Sequence, residues 1–275
     1  MNNLPKRRTA FVLASTDHGS MLVNRHDYRM VGSGGYGVGY QLLEKSSFDA
    51  DEVGFVLQLL ESRRRHAGDG LIALDCGANI GVHTIEWARY MHGWGDVLAF
   101  EAQERIFYAL AGNLTLNNCF NARAIWAAIG ASNGVLRVPV PDYLVPSSFG
   151  SLELRPSAGT EFIGQDIDYS DAATQSVQML AIDAMNLPRL DLIKLDIEGM
   201  ELEALQGARD SIARLKPYLL IEKIKSNEEE LVRFVTELGY VVFPLGINLL
   251  AVHAADPIAA ELRQAANPSQ HALQP

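Results

Sequence analysis

The run from Leu71 to Thr84, LIALDCGANIGVHT, constrains this chain more than any other stretch, because a buried strand there breaks into a glycine loop that opens a helix. Leu71, Ile72, Ala73 and Leu74 form a short continuous apolar run, the composition of a central parallel strand covered on both faces. Asp75 ends that run. Gly77 and Gly81 bracket a tight loop in which missing side chains let backbone and ligand approach closely, and Asn79 can adopt unusual dihedrals or hydrogen-bond locally. Helical spacing follows in Ile80, Thr84, Ile85 and Ala88. Asp75 is therefore expected at the carboxyl edge of a strand, facing the crevice where open α/β sheets bind ligands. The implied ligand is nucleotide-like.

Spacing separates the kinds of nucleotide. A dinucleotide fingerprint G-x-G-x-x-G needs glycine at 77, 79 and 82, where the chain has Asn79 and Val82. A phosphate-binding P-loop needs a Gly-Lys-Ser/Thr ending, and none follows Gly81. What remains is D-x-G-x-N-x-G, an acid at the strand end followed by small residues that accommodate an amino-acid-bearing nucleoside. This pattern resembles the first motif of S-adenosylmethionine-dependent methyltransferases.

A ribose then needs a carboxylate at the end of the neighbouring strand. Val97, Leu98, Ala99 and Phe100 make a second short apolar run, and Glu101 ends it 26 positions after Asp75, close to the offset a strand, helix, strand unit allows. The plainer alternative is a surface glutamate. A third set of acids lies between Asp191 and Gly207, where Leu192, Ile193 and Leu195 mark a strand and helical spacing follows Gly199. Asp196 and Glu198 flank that strand end, and a further buried strand from Tyr218 to Ile221 ends in Glu222 and Lys223. Carboxylates at adjacent strand ends can deprotonate a substrate hydroxyl, or hold a hard cation that lowers its pKa. The competing structural reading is helix capping by Glu198 and surface pairing of Glu222 with Lys223.

Together these segments resemble the FkbM family of methyltransferases, over about Phe48 to His253. The residues that carry the resemblance are DCGANIG at 75–81, AFEAQ at 99–103, IKLDIEGMELEAL at 193–205, LLIEK at 219–223 and NLLAVH at 248–253. The resemblance implies the α/β, Rossmann-like fold of class I methyltransferases: a seven-stranded sheet of order 3-2-1-4-5-7-6 with helices on both faces. It also implies S-adenosylmethionine as cofactor and methyl transfer to a hydroxyl of a sugar or secondary metabolite. In such a fold RAIWAA, Arg123 to Ala128, is the third strand, whose end passes near an adenine, so Asn121 and Ala128 are candidate backbone contacts. The expected cofactor-binding set is Asp75, Gly77, Asn79, Gly81, Glu101, Asn121 and Ala128. The chain departs from the family pattern at AFEAQ, where a proline often follows the acid, and in a long Ser-, Gly-, Pro- and Tyr-rich insertion at 139–175.

Composition agrees with a single folded enzyme domain. At 275 residues the chain can bury a large core, and 48% hydrophobic with 20% charged residues excludes a mainly disordered protein. The expected layout is an N-terminal extension (hairpin and glycine-rich loop) over 1–48, the methyltransferase domain over 49–255 with 139–175 as insertion or lid, and a C-terminal tail over 256–275. A formal net charge of −10 argues against a nucleic-acid partner, whose backbone draws on clustered Lys and Arg. The strand end at Asp196 also reads D-I-E-G, unlike the D/N-P-P-Y motif with which many amino-methylating enzymes hold a DNA base or glutamine amide. Lys6, Arg7 and Arg8 precede FVLA, but Ser15, Thr16 and Asp17 interrupt that stretch, which is too short for a signal-peptide core. A cytoplasmic location without a membrane span is expected. Cys76 and Cys119 offer no disulfide framework and no metal spacing, and both are expected as buried thiols.

Ahead of the first motif, residues 10–31 alternate weakly around DHG and predict a small hairpin that covers the sheet. GSGGYGVG, Gly32 to Gly39, contains G-x-G-x-x-G, the pattern of a dinucleotide or kinase glycine loop. No strong buried strand precedes it, no V-A-I-K strand follows, and neither H-R-D nor D-F-G occurs downstream, so a flexible loop at the cleft mouth is expected instead. Asp49 as N-cap, then Val53, Val56, Leu57 and Leu60, predict a helix ending in a solvated Arg63, Arg64, Arg65 patch. Residues 103–116 read as a helix, 240–243 and 247–252 as a final hairpin, and the segment after Asp256 as a short helix and frayed tail.

Asp196, Glu222 and His83 are the candidate catalytic residues. His83 lies one helical turn after Asn79 and can act as general base, orient the cofactor's methionine end, or pack against Trp87. In the insertion, Tyr143, Ser147, Ser148, Phe149, Glu153 and Tyr169 have the aromatic and hydroxyl character that suits a polyol or glycan acceptor. A divalent cation at the acids would be Mg or Ca, since no zinc-type His/Cys set is present, but the Lys223 ammonium opposes a cation, so no metal is assigned. The expected activity is O-methylation of a hydroxyl on a small molecule, sugar or glycan intermediate by direct displacement. N- or carboxyl-methylation of a small molecule or peptide, and a non-catalytic nucleotide-binding scaffold, stay open.

Overall fold

The computed structural model describes residues 8–32, 34–157 and 159–266. Lys6 and Arg7, and positions 267–275 of the expected tail, lie outside them. In chain order the elements begin with β1 (Phe11–Thr16), β2 (Gly19–Asn24), β3 (Arg29–Val31), β4 (Gly34–Tyr36), α1 (Val38–Lys45) and α2 (Ala50–Ala67). The first half of the main sheet follows as β5 (Leu71–Cys76), α3 (Val82–Tyr90), β6 (Gly95–Glu101), α4 (Glu104–Leu116) and β7 (Ala122–Trp126). After β8 (Ala128–Ile129), β9 (Gly134–Pro139) and β10 (Thr174–Leu180) come β11 (Leu192–Leu195), α5 (Glu201–Gln206), α6 (Arg209–Leu215) and β12 (Tyr218–Glu222). The described chain closes with α7 (Glu228–Glu237), β13 (Tyr240–Leu245), β14 (Asn248–His253) and α8 (Pro257–Ala266).

The central sheet runs β7-β6-β5-β11-β12-β14-β13. Numbered along the chain, that is the expected 3-2-1-4-5-7-6. Its inner pairs are parallel, and β14 lies antiparallel to both β12 and β13. Alternation along each strand sorts side chains between two cores, as the two-residue period of a pleated strand requires. Leu71 and Ala73 of β5, Leu220 of β12 and Leu250 of β14 face one layer with Val56, Ile85 and Leu110. Leu74 and Cys76, Ile193 and Leu195, and Leu219 and Ile221 face the other with Leu205, Ile212 and Phe234. Helices thus cover both faces. By the same alternation Asp75, Lys194 and Glu222 fall on the first face, at the carboxyl edge, and Lys194 is the register partner of Asp75.

The hairpin β1–β2 forms around Asp17 and His18 and packs against α4 rather than on the sheet itself. Asn113 of α4 holds it there: its Oδ1 accepts from the Leu22 N–H at 2.5 Å, and its Nδ2 donates to Ile80 O at 2.8 Å in the glycine loop. The glycine-rich 32–39 stretch is not a free loop. β3 and β4 pair as a ribbon, and Tyr36 Oη donates to Glu161 Oε1 at 2.8 Å, while Arg29 donates to the same oxygen at 3.2 Å. The ribbon's partners lie some 130 residues away, so local composition could not announce it.

The arginine-rich end of α2 is also corrected. Arg63 is nearly buried and donates to Asp191 Oδ1 at 3.0 Å and Asp256 Oδ2 at 2.8 Å, tying α2 to the start of β11 and to the turn before α8. Asp49 precedes α2 as expected, but in the left-handed region and without a side-chain cap bond. Cys76 and Cys119 are free, buried thiols. Among the described residues, no helix is long and apolar enough to cross a membrane.

Candidate active site

A cavity of about 330 Å³ opens at the carboxyl edge of β5, β6, β11 and β12. Its first end is built by the loop after β5. Gly77 has φ +82°, and a Cβ there would fall onto the Asp196 carbonyl oxygen, so the glycine serves the close approach of β5 to the residue after β11. Gly81, at φ +93°, leaves room for Leu110 in the same way. Both glycines thus let protein, not only ligand, come close, and they bend the chain so that the cavity opens beside Asn79. Asn79 is left-handed, with φ +49°.

Glu101 at the end of β6 is buried, and its two oxygens accept from Asn79 N–H at 3.0 Å and Gln103 N–H at 2.8 Å. Burial pushes its carboxyl up to about 7 against the pull of those backbone donors. Asp75 is buried too. Its Oδ2 accepts from Thr84 Oγ1 at 2.5 Å, while Oδ1 has no partner among the described residues. An unpartnered buried carboxylate oxygen, lining one cavity with a second carboxylate whose oxygens each have a single backbone donor, is a cradle for a ligand rich in hydroxyl or ammonium donors. A ribose and an amino-acid ammonium supply those donors, so the residues fit S-adenosylmethionine. Ala128 also lines the cavity.

The second end holds the acids. Carboxylate oxygens of Asp196, Glu198 and Glu222 lie within 4.8 Å of one another. Burial, then Asp196, push Glu222 up to about 9, and burial pushes Glu198 up to about 8 against Lys225. Lys194 Nζ donates to Asp196 Oδ2 at 2.7 Å, and Lys225 Nζ pairs with Glu198 Oε2 at 2.6 Å. Although burial opposes its charge, Lys194 is held protonated by Asp196, Asp75 and Glu52. Lys223, expected beside Glu222, turns away to Glu228 at 2.9 Å. The cations facing the cluster are Lys194 and Lys225. The helix capping expected of Glu198 is not seen: α5 starts without a side-chain cap bond, and Glu201 accepts from Ile197 and Gly199 N–H in the turn before it.

His83 lines the cavity between the two ends. Its Nε2 is 3.5 Å from Glu52 Oε1, its Nδ1 has no partner among the described residues, and its ring meets Trp87 edge-on at 5.8 Å. Burial first, then Lys194 and His18, hold it well below the usual histidine range, so it is neutral.

Asn121 does not join this group. It precedes β7, at the end of the sheet away from the cavity, where its Nδ2 donates to Ala88 O and Gly95 O. Of the six insertion residues expected to meet an acceptor, Ser148 lines the cavity. Tyr143, Ser147, Phe149, Glu153 and Tyr169 instead hold the insertion together and fix it to its surroundings: Tyr169 Oη donates to Glu153 O, and Ser147 N–H to His26 O. Gly150, Ser151 and Leu152 of the insertion also line the cavity, as do Tyr36, Gly37 and Val38 of the glycine-rich stretch expected at the cleft mouth; Gln103 and Lys194 line it unforeseen. Lys194 was legible in principle, as the one polar residue inside the apolar β11 run.

The sheet order, the reversed seventh strand and a ligand-sized cavity at the strand ends define a class I methyltransferase fold. The family model described as the methyltransferase FkbM domain matches residues 75–242, and the chain belongs to that family. A curated relative, methyltransferase sdnD of Sordaria araneosa, is 27% identical over 170 residues, covering 54% of this chain and 64% of the relative. The chain therefore spans somewhat under two thirds of that relative's length. A solved FkbM methyltransferase from Methylobacillus flagellatus superposes with a TM-score of 0.47 at 21% identity, covering 67% of this chain and 44% of that one. A precorrin-6y C5,15-methyltransferase from Geobacter metallireducens gives 0.43 at 14% identity, over 76% of this chain and 89% of its own.

Proposed function

We propose that this protein is an S-adenosylmethionine-dependent O-methyltransferase acting on a hydroxyl of a small molecule, sugar or glycan intermediate. The observation that carries the reading is one cavity with a donor-type end at Asp75, Asn79 and Glu101 and a proton-accepting end at Asp196 and Glu222. Bound S-adenosylmethionine would supply an electrophilic methyl group on a sulfonium. Glu101 would accept the ribose hydroxyls, and Asp75 Oδ1 a donor at the methionine end.

At the other end, Glu222 holds a proton at neutral pH through burial and its neighbours Asp196 and Glu198. Its carboxylate is paired with that of Asp196, with oxygens within 4.8 Å of each other, and Lys194 fixes Asp196 in place. The pair would take the acceptor's hydroxyl proton as the oxygen attacks. His83 is assigned orientation rather than proton uptake, since an imidazolium there would form against burial, Lys194 and His18. The ammonium groups of Lys194 and Lys225 already occupy oxygens of Asp196 and Glu198, which favours chemistry without a cation.

The test is transfer from methyl-labelled donor to a panel of hydroxylated metabolites, with chelator present. Labelled methyl ethers should form at an unchanged rate, and the Asp196→Asn, Glu222→Gln double variant should be slower by about 100-fold or more. Labelled N-methyl products, loss of turnover on chelation, or full activity in the double variant would each overturn the assignment.

A further inference from the structure

A continuous hydrogen-bonded chain links the donor end of the cavity to the insertion and to the N-terminal extension, and Gln103 is its hub. Glu101 accepts from Asn79 N–H and from Gln103 N–H. The Gln103 side chain then spends both of its polar atoms on the insertion: Nε2 donates to Phe149 O at 2.9 Å, and Oε1 accepts from Tyr143 Oη at 3.1 Å. Phe149 N–H donates in turn to Asp27 Oδ1 at 3.0 Å, and Asp27 Oδ2 accepts from Gly39 N–H at 3.0 Å in the first turn of α1. Gln103, Phe149, Asp27 and Glu101 are all buried. In such surroundings a lost partner leaves an unsatisfied polar group, so each bond constrains the next.

The segment this chain holds is the one that closes the cavity. Ser148, Gly150, Ser151 and Leu152 line it opposite Asn79, and Gly150 sits so near that a Cβ there would be 2.9 Å from Asn79 Nδ2. A ligand that donates to Glu101 fixes the carboxylate that holds the Gln103 backbone, and the Gln103 side chain carries that restraint to residues 147–152.

We propose that Gln103 is a positioning residue that couples occupancy of the Glu101 carboxylate to closure of residues 147–152 over the cavity. The inference rests on the donor reading of the Glu101 end.

The experiment is backbone hydrogen exchange of residues 147–152, with and without S-adenosylhomocysteine, in the wild type, Gln103→Leu and Tyr143→Phe. The readout is the difference that the ligand makes, which a merely structural glutamine would not move. In the wild type the ligand should slow exchange of these amides. Gln103→Leu should lose that slowing and bind the ligand about fivefold more weakly, as expected for one buried hydrogen-bonding group. Tyr143→Phe, which removes one hydroxyl and keeps the ring packed on Phe149, should lose part of it. This second variant decides the matter if Gln103→Leu does not fold. Wild-type slowing in the variants would overturn the coupling while leaving the donor reading intact, whereas failure of the wild type to bind S-adenosylhomocysteine would overturn both.

Discussion

Glu101 shows how burial turns a common residue into a sensitive one. Its carboxyl is raised to about 7 by burial, so the folded protein binds this proton more tightly than the unfolded chain does. Its contribution to stability is therefore full below the ordinary glutamate range and is lost as the pH rises through about 7. Ligand hydroxyls favour the ionised form. S-adenosylhomocysteine should accordingly bind more tightly as the pH rises across 7 and release a proton, which calorimetry in buffers of differing ionisation enthalpy reads directly. The Glu101→Gln variant should bind with a flat pH dependence, and a flat profile in the wild type would count against the role. The acid itself was legible as the end of an apolar run, as were Asp75, Asp196 and Glu222. Its surroundings were not, because Tyr143, Phe149 and Gln103 cover that end of the cavity through bonds spanning some 40 residues. His83 was legible only as a choice of roles, and burial among cations narrows the choice.

Elements carry the geometry that brings these residues together. β5 and β11 pair in register, and the chain leaving each strand passes the other so closely that position 77 has no space for a side chain. Gly77→Ala meets both a carbonyl oxygen and a left-handed backbone, and should lower stability by more than about 2 kcal/mol, read as a shifted denaturant midpoint. A neutral effect would mean that β5 and β11 can part without cost. Strand positions followed from short apolar runs ended by acids, a local signal, whereas the strand order was implied by the family resemblance. Asn121 was misplaced because it lies before its strand instead of after it, where no hydrophobic pattern distinguishes the two ends. The ribbon of β3 and β4 and the ion pairs of Arg63 escaped for a different reason: each is stabilised by residues more than a hundred positions away.

At the scale of the molecule, the extension and the insertion meet over the crevice. Asn24 Nδ2 donates to Tyr143 O at 3.0 Å, and Asp27 joins α1 to Phe149. The family match, residues 75–242, covers the strand-end acids and most of the sheet but not β14, and does not reach the first 74 residues that supply Tyr36, Gly37 and Val38 to the cavity. We propose that the one cavity divides into a donor end at Glu101 and an acceptor end at Asp196 and Glu222. The most direct test of this division is titration of S-adenosylhomocysteine into three proteins. Glu101→Ala should bind more weakly than the wild type by about 1–3 kcal/mol, the cost of removing a charged acceptor from buried hydroxyls. The Asp196→Asn, Glu222→Gln double variant should bind within about twofold of the wild type, a difference of under about 0.5 kcal/mol. Equal losses in the two variants, or unchanged affinity in Glu101→Ala, would contradict that division.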